Sequence, residues 1–531
     1  MPKKTYFFLL FLILALAAFF RIWQIESLPP AVYPDEAMNG NDAISAVQTG
    51  DYQVFYPENN GREGFYINLI ALSFKYFGVG IWQLKIISIF AGLLTILAAA
   101  WLALRLFSGK KAQVISLLTA FFIATSFWHI NFSRIAFRAI LIPLIISLAL
   151  ACLYWGRQKK SVWGYALSGA FMGLGFHTYI AFRIAPLILA VPLAFDLVRA
   201  WKKRYQGIFK VYLRGLWRWD ILILAAILVF LPLGIYFLEN PGSFVGRSAQ
   251  VSIFSSENPV KVLGLNIIKT FGQFNFFGDQ NWRHNLSGRP LLFWPVGILF
   301  LIGAFWCLYN ILNVKLYKEE KSKRLESSWL LLVWPAVMLV PEFMTNEGLP
   351  HALRGLGALV PAYLLAALGF WLVLNLIKKT VPGKIQTPLT VILVLSLLMA
   401  APVAFNDYFR VWGQSPETAG AFNKNFKDLA ELIKTFPDEA DKFVIVNEGG
   451  VAVPFPAGFA MPAQSLVFQV FPEPNVRLVK EETRPSLGNE LTPGSFLFLL
   501  KNDDRIWNEI TNQFGGKIEQ KGEIKYFKNT N

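Results

Sequence analysis

The chain reads as an all-α polytopic membrane protein of about eleven transmembrane helices with a small C-terminal α/β domain. Three observations predict this class. Of 531 residues, 55% are hydrophobic and only 16% charged, with 48 Phe and 17 Trp, which is too apolar for a soluble chain of this length. Apolar runs near the roughly twenty residues needed to cross a bilayer recur through the first three-quarters of the sequence. Lys and Arg gather in alternate connections between those runs, as they do in cytoplasmic loops.

In chain order the runs are Thr5–Gln24, Trp82–Leu106, Gln113–Phe132, Ala139–Tyr154, Trp163–Thr178, Ile184–Val198, Ile221–Leu238, Leu291–Leu312, Ser328–Phe343, Leu356–Ile377 and Thr387–Phe405. The first continues unbroken through Phe20, so a retained anchor is expected rather than a cleaved leader. With Lys3 and Lys4 inside, the connections Arg105–Lys111, Arg157–Lys160, Arg199–Arg218, Lys315–Arg324 and Lys378–Lys384 are the basic ones. The formal net charge of +16 is therefore mostly topology. Split among short loops, these charges form no single basic face, which argues against a nucleic-acid partner. Gly169 and Gly173, four residues apart in an apolar run, predict close helix packing. Cys152 and Cys307 fall inside predicted spans and are expected to be core residues, neither a disulfide nor a zinc site.

An odd number of spans places the C-terminus outside. Composition changes after Phe405, and residues 1–406 are expected to form the transmembrane unit, with 25–81 its first outer loop and 407–531 a soluble extracytoplasmic lobe. The lobe shows a helical stretch near Ala421–Phe436, a β-like run Lys442–Val446, apolar runs at Ser465–Phe471 and Ser495–Leu500, a helix near Asp504–Phe514 and the run Glu523–Phe527.

Polar clusters concentrate in the outward connections. The first loop contains Asp35, Glu36, Asp42, Arg62 and Glu63, and its segment Phe65–Phe77 is amphipathic enough for a helix lying in the interface. The second holds Arg134 and Arg138, which on a helix would share one face. His177 and Arg183 flank the third. The fourth carries Asp279, Arg283, His284 and Arg289, and the fifth Glu342, Glu347, His351 and Arg354. All four histidines of the chain lie at or near this face.

Each residue has a plainer explanation beside the functional one. Asp35 and Glu36 are either an active acidic pair or the cap of a juxtamembrane helix. Arg134 and Arg138 either form a fork for a phosphate or extend to lipid headgroups. Glu347 and Arg354 are a structural ion pair or substrate contacts. No His-x-x-x-His spacing accompanies His284 or His351, so packing or hydrogen bonding is expected there; no metal or other cofactor is indicated. His177 is expected to be a satisfied polar residue near the interface.

Acids and arginines at an outer membrane face suit a lipid-linked donor with an anionic phosphate. Its tail stays in the bilayer, arginines neutralise the phosphate, and a carboxylate takes the proton of an attacking hydroxyl. Tyr33-Pro-Asp-Glu-Ala37 after the first span, Arg62-Glu-Gly-Phe-Tyr66, Ser133-Arg-Ile-Ala-Phe-Arg138, and the Gly-Asp to Arg-Pro and Glu-Gly-Leu-Pro-His segments carry a family likeness. They resemble bacterial members of the protein O-mannosyltransferase and aminoarabinose transferase superfamily, which are GT-C-fold glycosyltransferases using polyprenyl-phosphate sugars.

The resemblance covers about Lys4 to Phe405 and implies transfer of one sugar from a polyprenyl phosphate to a hydroxyl acceptor outside the cytoplasmic membrane. It implies Asp35 as the catalytic acid of the first outer loop, Glu36 as support or acceptor contact, and Arg134 and Arg138 in the donor-phosphate region. Many relatives have a Lys- or His-Pro-Pro segment where this chain has Gly61-Arg-Glu-Gly64, which leaves Arg62 and Glu63 as donor or acceptor contacts. The absence of a Trp-Trp-Asp run argues against the oligosaccharyltransferase branch. The alternative, a polytopic lipid flippase or transporter, calls for charges near the bilayer midplane or on both faces. A non-catalytic scaffold would be indifferent to loss of Asp35.

Overall fold

A computed structural model describes residues 1–201, 207, 215–244, 253–313, 319–346, 348–453 and 458–530; Glu347 lies outside the described residues. Every apolar run read from the sequence contains a helix. Nine helices among the described residues are long and apolar enough to cross a membrane. The other two, Gly109–Ala124 and Val162–Gly175, have 16 and 14 residues. The run expected over Gln113–Phe132 is broken at Thr125 and Ser126, where the Ser126 hydroxyl accepts the His129 N–H at 3.1 Å and starts a new short helix, Phe127–Phe132. The last apolar helix continues to Trp412, past the change in composition.

Burial sorts the spans. Arg138–Lys159 and Arg354–Thr380 form the centre of the bundle, with 89% and 83% of their most apolar stretches buried, whereas Trp217–Glu239 and Gly383–Trp412 bury 17% and turn Leu, Ile and Val outward. Such apolar surface belongs against lipid, and the chain is a multi-pass membrane protein. The spacing of Gly169 and Gly173 works as expected. A Cβ at either would stand 2.0 Å from Leu222 O or 2.4 Å from Ala226 O, so only glycine lets the Trp217–Glu239 helix approach so closely. Cys152 and Cys307 are buried and free.

The long connection after the first span is an ordered structure. It contains a Pro34–Thr49 helix that the sequence reading left as loop, a two-stranded ribbon of β1 (Phe55–Tyr56) and β2 (Arg62–Glu63), and the expected helix over Gly64–Phe77. In the lobe, β3 (Lys442–Val446), β4 (Val476–Lys480), β5 (Phe496–Leu499), β6 (Lys517–Lys521) and β7 (Ile524–Lys528) form one sheet in the order β4-β3-β5-β7-β6. Strands β4, β3 and β5 are parallel, and β7 and β6 complete the sheet antiparallel. The run Ser465–Phe471 proves helical, over Ala463–Val470. This helix lies on Pro34–Thr49. Asn41 donates to Gln464 Oε1 at 2.8 Å, Ser465 donates to Val32 O at 2.5 Å, and a Cβ on Gly40 would meet the Phe468 ring at 2.7 Å. The lobe and the first long connection therefore share one end of the bundle.

Candidate active site

The Pro34–Thr49 helix begins with Pro34 in its first turn, where a missing N–H costs nothing. Glu36 Oε1 accepts the Tyr33 N–H at 3.3 Å, which closes the helix start. Its other oxygen accepts the Ala136 N–H at 2.7 Å. One turn on, Asn39 donates to Ala136 O at 2.9 Å. Glu36 and Asn39 thus hold one residue of the 133–138 connection, Ala136, by its N–H and by its carbonyl. Glu36 is fully buried, and burial pushes its carboxyl above the usual range against the pull of nearby Lys85. This fits the support role implied for Glu36; an acceptor contact does not fit a side chain without exposed surface.

Farther along the same helix, Asp42 pairs with Arg62, which also donates to Asn39 Oδ1 at 3.1 Å. Burial raises the Asp42 carboxyl to about 6 even with Arg62 opposing it. Glu63, next to Arg62 on β2, turns to Arg138, with Oε2 2.6 Å from Nη1 and with Arg183 Nη2 3.9 Å from Oε1. Arg62, Glu63 and Arg138 are thereby brought together, but each is nine-tenths or more buried and already paired.

Asp35 differs from these neighbours. It is half-buried, no cation pairs with it among the described residues, and its Oδ1 accepts only the Asn59 amide, at 2.8 Å. The ribbon turn delivers that amide: Asn59, Asn60 and Gly61 all have positive φ, of 50°, 63° and 81°, a conformation these residue types tolerate best. Beside Asp35, the Arg283 guanidinium lies 4.1 Å from the centre of the Tyr33 ring. The Asp35 charge also acts on His284.

The string from Gly278 to Pro290 closes on itself, with Gly278 N–H donating to Gly288 O at 3.0 Å; a Cβ on Gly278 would collide with Arg289 O. Within it, Asp279 Oδ1 accepts the Asn281 N–H at 2.8 Å, while Oδ2 lies 3.0 Å from His284 Nδ1 and accepts the Ala352 N–H at 2.8 Å. The His284 and His351 rings stand 4.7 Å apart, and the His351 N–H donates to Glu342 at 2.9 Å. Burial holds both imidazoles below their usual range, His351 the more strongly. The metal-ligating atoms of Asp279, His284 and His351 lie within 4.8 Å of one another, a spacing a divalent cation can bridge. Both Asp279 oxygens also accept hydrogen bonds, so the trio ties the 278–290 string to the segment around His351. Arg354 is tied to Thr345 Oγ1 at 2.7 Å.

One expectation fails clearly. Arg134 and Arg138 do not share a helical face, because residues 133–137 are not helical. Arg134 is fully buried and donates to Phe20 O at 2.8 Å, Trp23 O at 2.7 Å and Leu28 O at 3.0 Å, while its guanidinium lies over Tyr408 and Phe409. The end of the first span leaves carbonyls without helical partners, and Arg134 satisfies them. The sequence reading passed over Lys85 and Asn59, and gave Asn39 no role. A lysine in an apolar span and the Asn-Asn-Gly turn were the signals for two of them.

His177, as expected, is satisfied, its Nε2 lying 2.9 Å from Val229 O.

This arrangement, a bundle of apolar helices whose first long connection presents a half-buried aspartate, unpaired among the described residues, at the start of a helix, has the GT-C fold of membrane glycosyltransferases. Among solved structures, ArnT from Cupriavidus metallidurans in the apo state matches with a TM-score of 0.57 at 13% identity, over 100% of this chain and 99% of that one. The same protein bound to undecaprenyl phosphate gives 0.57 at 12% over the same shares. The archaeal oligosaccharyltransferase AglB from Archaeoglobus fulgidus, in complex with an inhibitory peptide and a dolichol-phosphate, gives 0.51 at 13%, over 90% of this chain and 64% of that one. No protein-family model matches the chain.

Proposed function

We propose that the protein is a glycosyltransferase that moves a single sugar from a polyprenyl-phosphate donor to a hydroxyl acceptor at the outer face of the cytoplasmic membrane. The observation that carries this reading is the state of Asp35: unlike Glu36, Asp42 and Glu63, it is neither sealed in nor paired with a cation among the described residues. Two fold neighbours hold polyprenyl-type phosphates, undecaprenyl phosphate on ArnT and dolichol-phosphate on AglB, which supports a lipid-phosphate donor.

In the proposed reaction Asp35 accepts the proton of the acceptor hydroxyl as its oxygen attacks the anomeric carbon. The bond from that carbon to the donor phosphate oxygen breaks, and the polyprenyl phosphate leaves with the electron pair. A single displacement inverts the anomeric centre. Arg283, stacked on Tyr33 next to the acid, is the cation best placed to balance the departing phosphate; Arg138 and Arg183 lie behind Glu63. The alternating basic connections support a cytoplasmic N-terminus, with the lobe and Asp35 outside.

The test is to incubate the purified protein with a panel of polyprenyl-phosphate sugars and an acceptor mixture, and to follow sugar release. Release by wild type that Asp35→Asn and Arg283→Ala retain in full refutes the residue assignments. No release from any donor in the panel refutes the donor class.

A further inference from the structure

At the end of the bundle away from Asp35, a cavity of about 430 Å³ opens between helix ends. It lies where Ile81–Leu106 and Trp294–Leu312 finish and where Gly109–Ala124 and Glu319–Met338 begin. The Asp35 region sits at the opposite ends of the same helices: Lys85 near the start of Ile81–Leu106, and Glu342 just beyond the end of Glu319–Met338. With about 1.5 Å of rise per residue, the 26-residue helix alone separates the two ends by roughly 39 Å.

The mouth of the cavity is cationic. Lys111, Lys323 and Arg324 line it, and none of them pairs with a carboxylate among the described residues. Lys323 donates to Ser108 Oγ at 2.9 Å, and the Lys111 ammonium sits 4.9 Å from the centre of the Phe107 ring. Burial, reinforced by Arg324, holds the Lys111 ammonium below the usual lysine range. The carboxylate two residues beyond Arg324 acts on Lys323 but is shared among several donors. Glu326 is fully engaged, accepting from Arg157, from Arg199 at 2.7 Å and from Tyr154 at 2.9 Å. Three positive groups therefore share one opening while the neighbouring acid is committed elsewhere. Positive charge in excess of the described carboxylates, beside serine hydroxyls, is the chemistry that holds a phosphate.

The deeper wall is apolar. Leu331 and Leu368 line it, each twelve residues from the near end of its helix. That places them roughly 18 Å inside the bundle. A ligand that satisfies both halves has an anionic head and a hydrocarbon tail. We propose that this cavity binds the phosphate headgroup of an anionic membrane lipid, with Lys111, Lys323 and Arg324 around the phosphate and an acyl chain along Leu331 and Leu368. The site is separate from the proposed transfer chemistry, and it stands or falls without it.

The experiment uses the full-length purified chain, stripped of lipid in detergent and titrated with phosphatidylglycerol or with phosphatidylcholine, bound lipid being counted by native mass spectrometry. Wild type is expected to bind one phosphatidylglycerol in preference to phosphatidylcholine. Lys111→Ala/Lys323→Ala is expected to bind it about tenfold more weakly, and Lys111→Arg/Lys323→Arg to restore binding. Lys111→Gln, which keeps side-chain length, serves if the double alanine variant melts before binding can be read. Equal phosphatidylglycerol occupancy in wild type and the charge-removing variants overturns the proposal. So does thermal protection by millimolar inorganic phosphate with no headgroup preference among lipids, which would assign the cavity to a soluble phosphate.

Discussion

Glu63 and Arg138 form a buried ion pair of 2.6 Å that fastens β2 to the entrance of the central helix Arg138–Lys159. Both groups lie within the same polar core as Arg62 and Asp42, so the pair couples the first long connection to the middle of the bundle.

Removing one partner leaves a charge stranded. Arg138→Ala is expected to cost about 3–5 kcal/mol of stability, and Arg138→Ala combined with Glu63→Gln to recover part of it. Thermal unfolding of the two variants and wild type in nanodiscs checks this. Equal melting of wild type and Arg138→Ala would show the pair to be energetically idle.

Asp35→Asn is expected to lower sugar release by about 10²–10⁴-fold while leaving the melting temperature unchanged. An asparagine oxygen can still accept the Asn59 amide, so the turn keeps its contact. Rates on a reactive donor, with melting measured in parallel, separate loss of chemistry from loss of fold.

Arg134→Ala is expected to act on stability and not on donor affinity. Its guanidinium is the donor for three carbonyls, and orphaning them is expected to cost about 3 kcal/mol. A raised donor KM at an unchanged melting temperature would return Arg134 to the donor phosphate.

Asp42 gives a pH signature of known sign. Its carboxyl is raised to about 6 from 3.8, so between these values the folded protein keeps a proton that the unfolded chain releases. Stability from this group is complete below about 4 and is lost as pH rises through 6. The melting temperature of wild type is therefore expected to fall relative to Asp42→Asn across that window, by the equivalent of about 3 kcal/mol at most. Parallel pH–melting curves test it.

The spans were legible because bilayer crossing demands long apolar runs, and Gly169 and Gly173 announced their close packing through spacing alone. The Pro34–Thr49 helix was not, because it buries Glu36, Asn39, Asn41 and Asp42, held by hydrogen bonds and ion pairs, among Ala37, Met38, Ala43 and Ile44, which blurs any apolar period. Strands β4 and β6 lie at the sheet edges, where no residue of either is fully buried, and β6 hid for a related reason, since all but Ile518 in it is polar. Asp35 stood out from its place after the first span. The separate fates of Arg134 and Arg138 did not, since a helical spacing means nothing where the backbone is not helical. The meeting of Asp279 with His351 depends on two connections more than sixty residues apart in sequence, which no local pattern reports.

The contact of Ala463–Val470 with Pro34–Thr49 gives the lobe a mechanical part in whatever the aspartate does. The acid-bearing helix is splinted between the bundle and an extramembrane piece, with Asn41 and Gly40 pressed against Gln464 and Phe468. Trimming the polypeptide after its last span would not yield a minimal working unit. It would strip one support from the helix and let the carboxylate lose its aim.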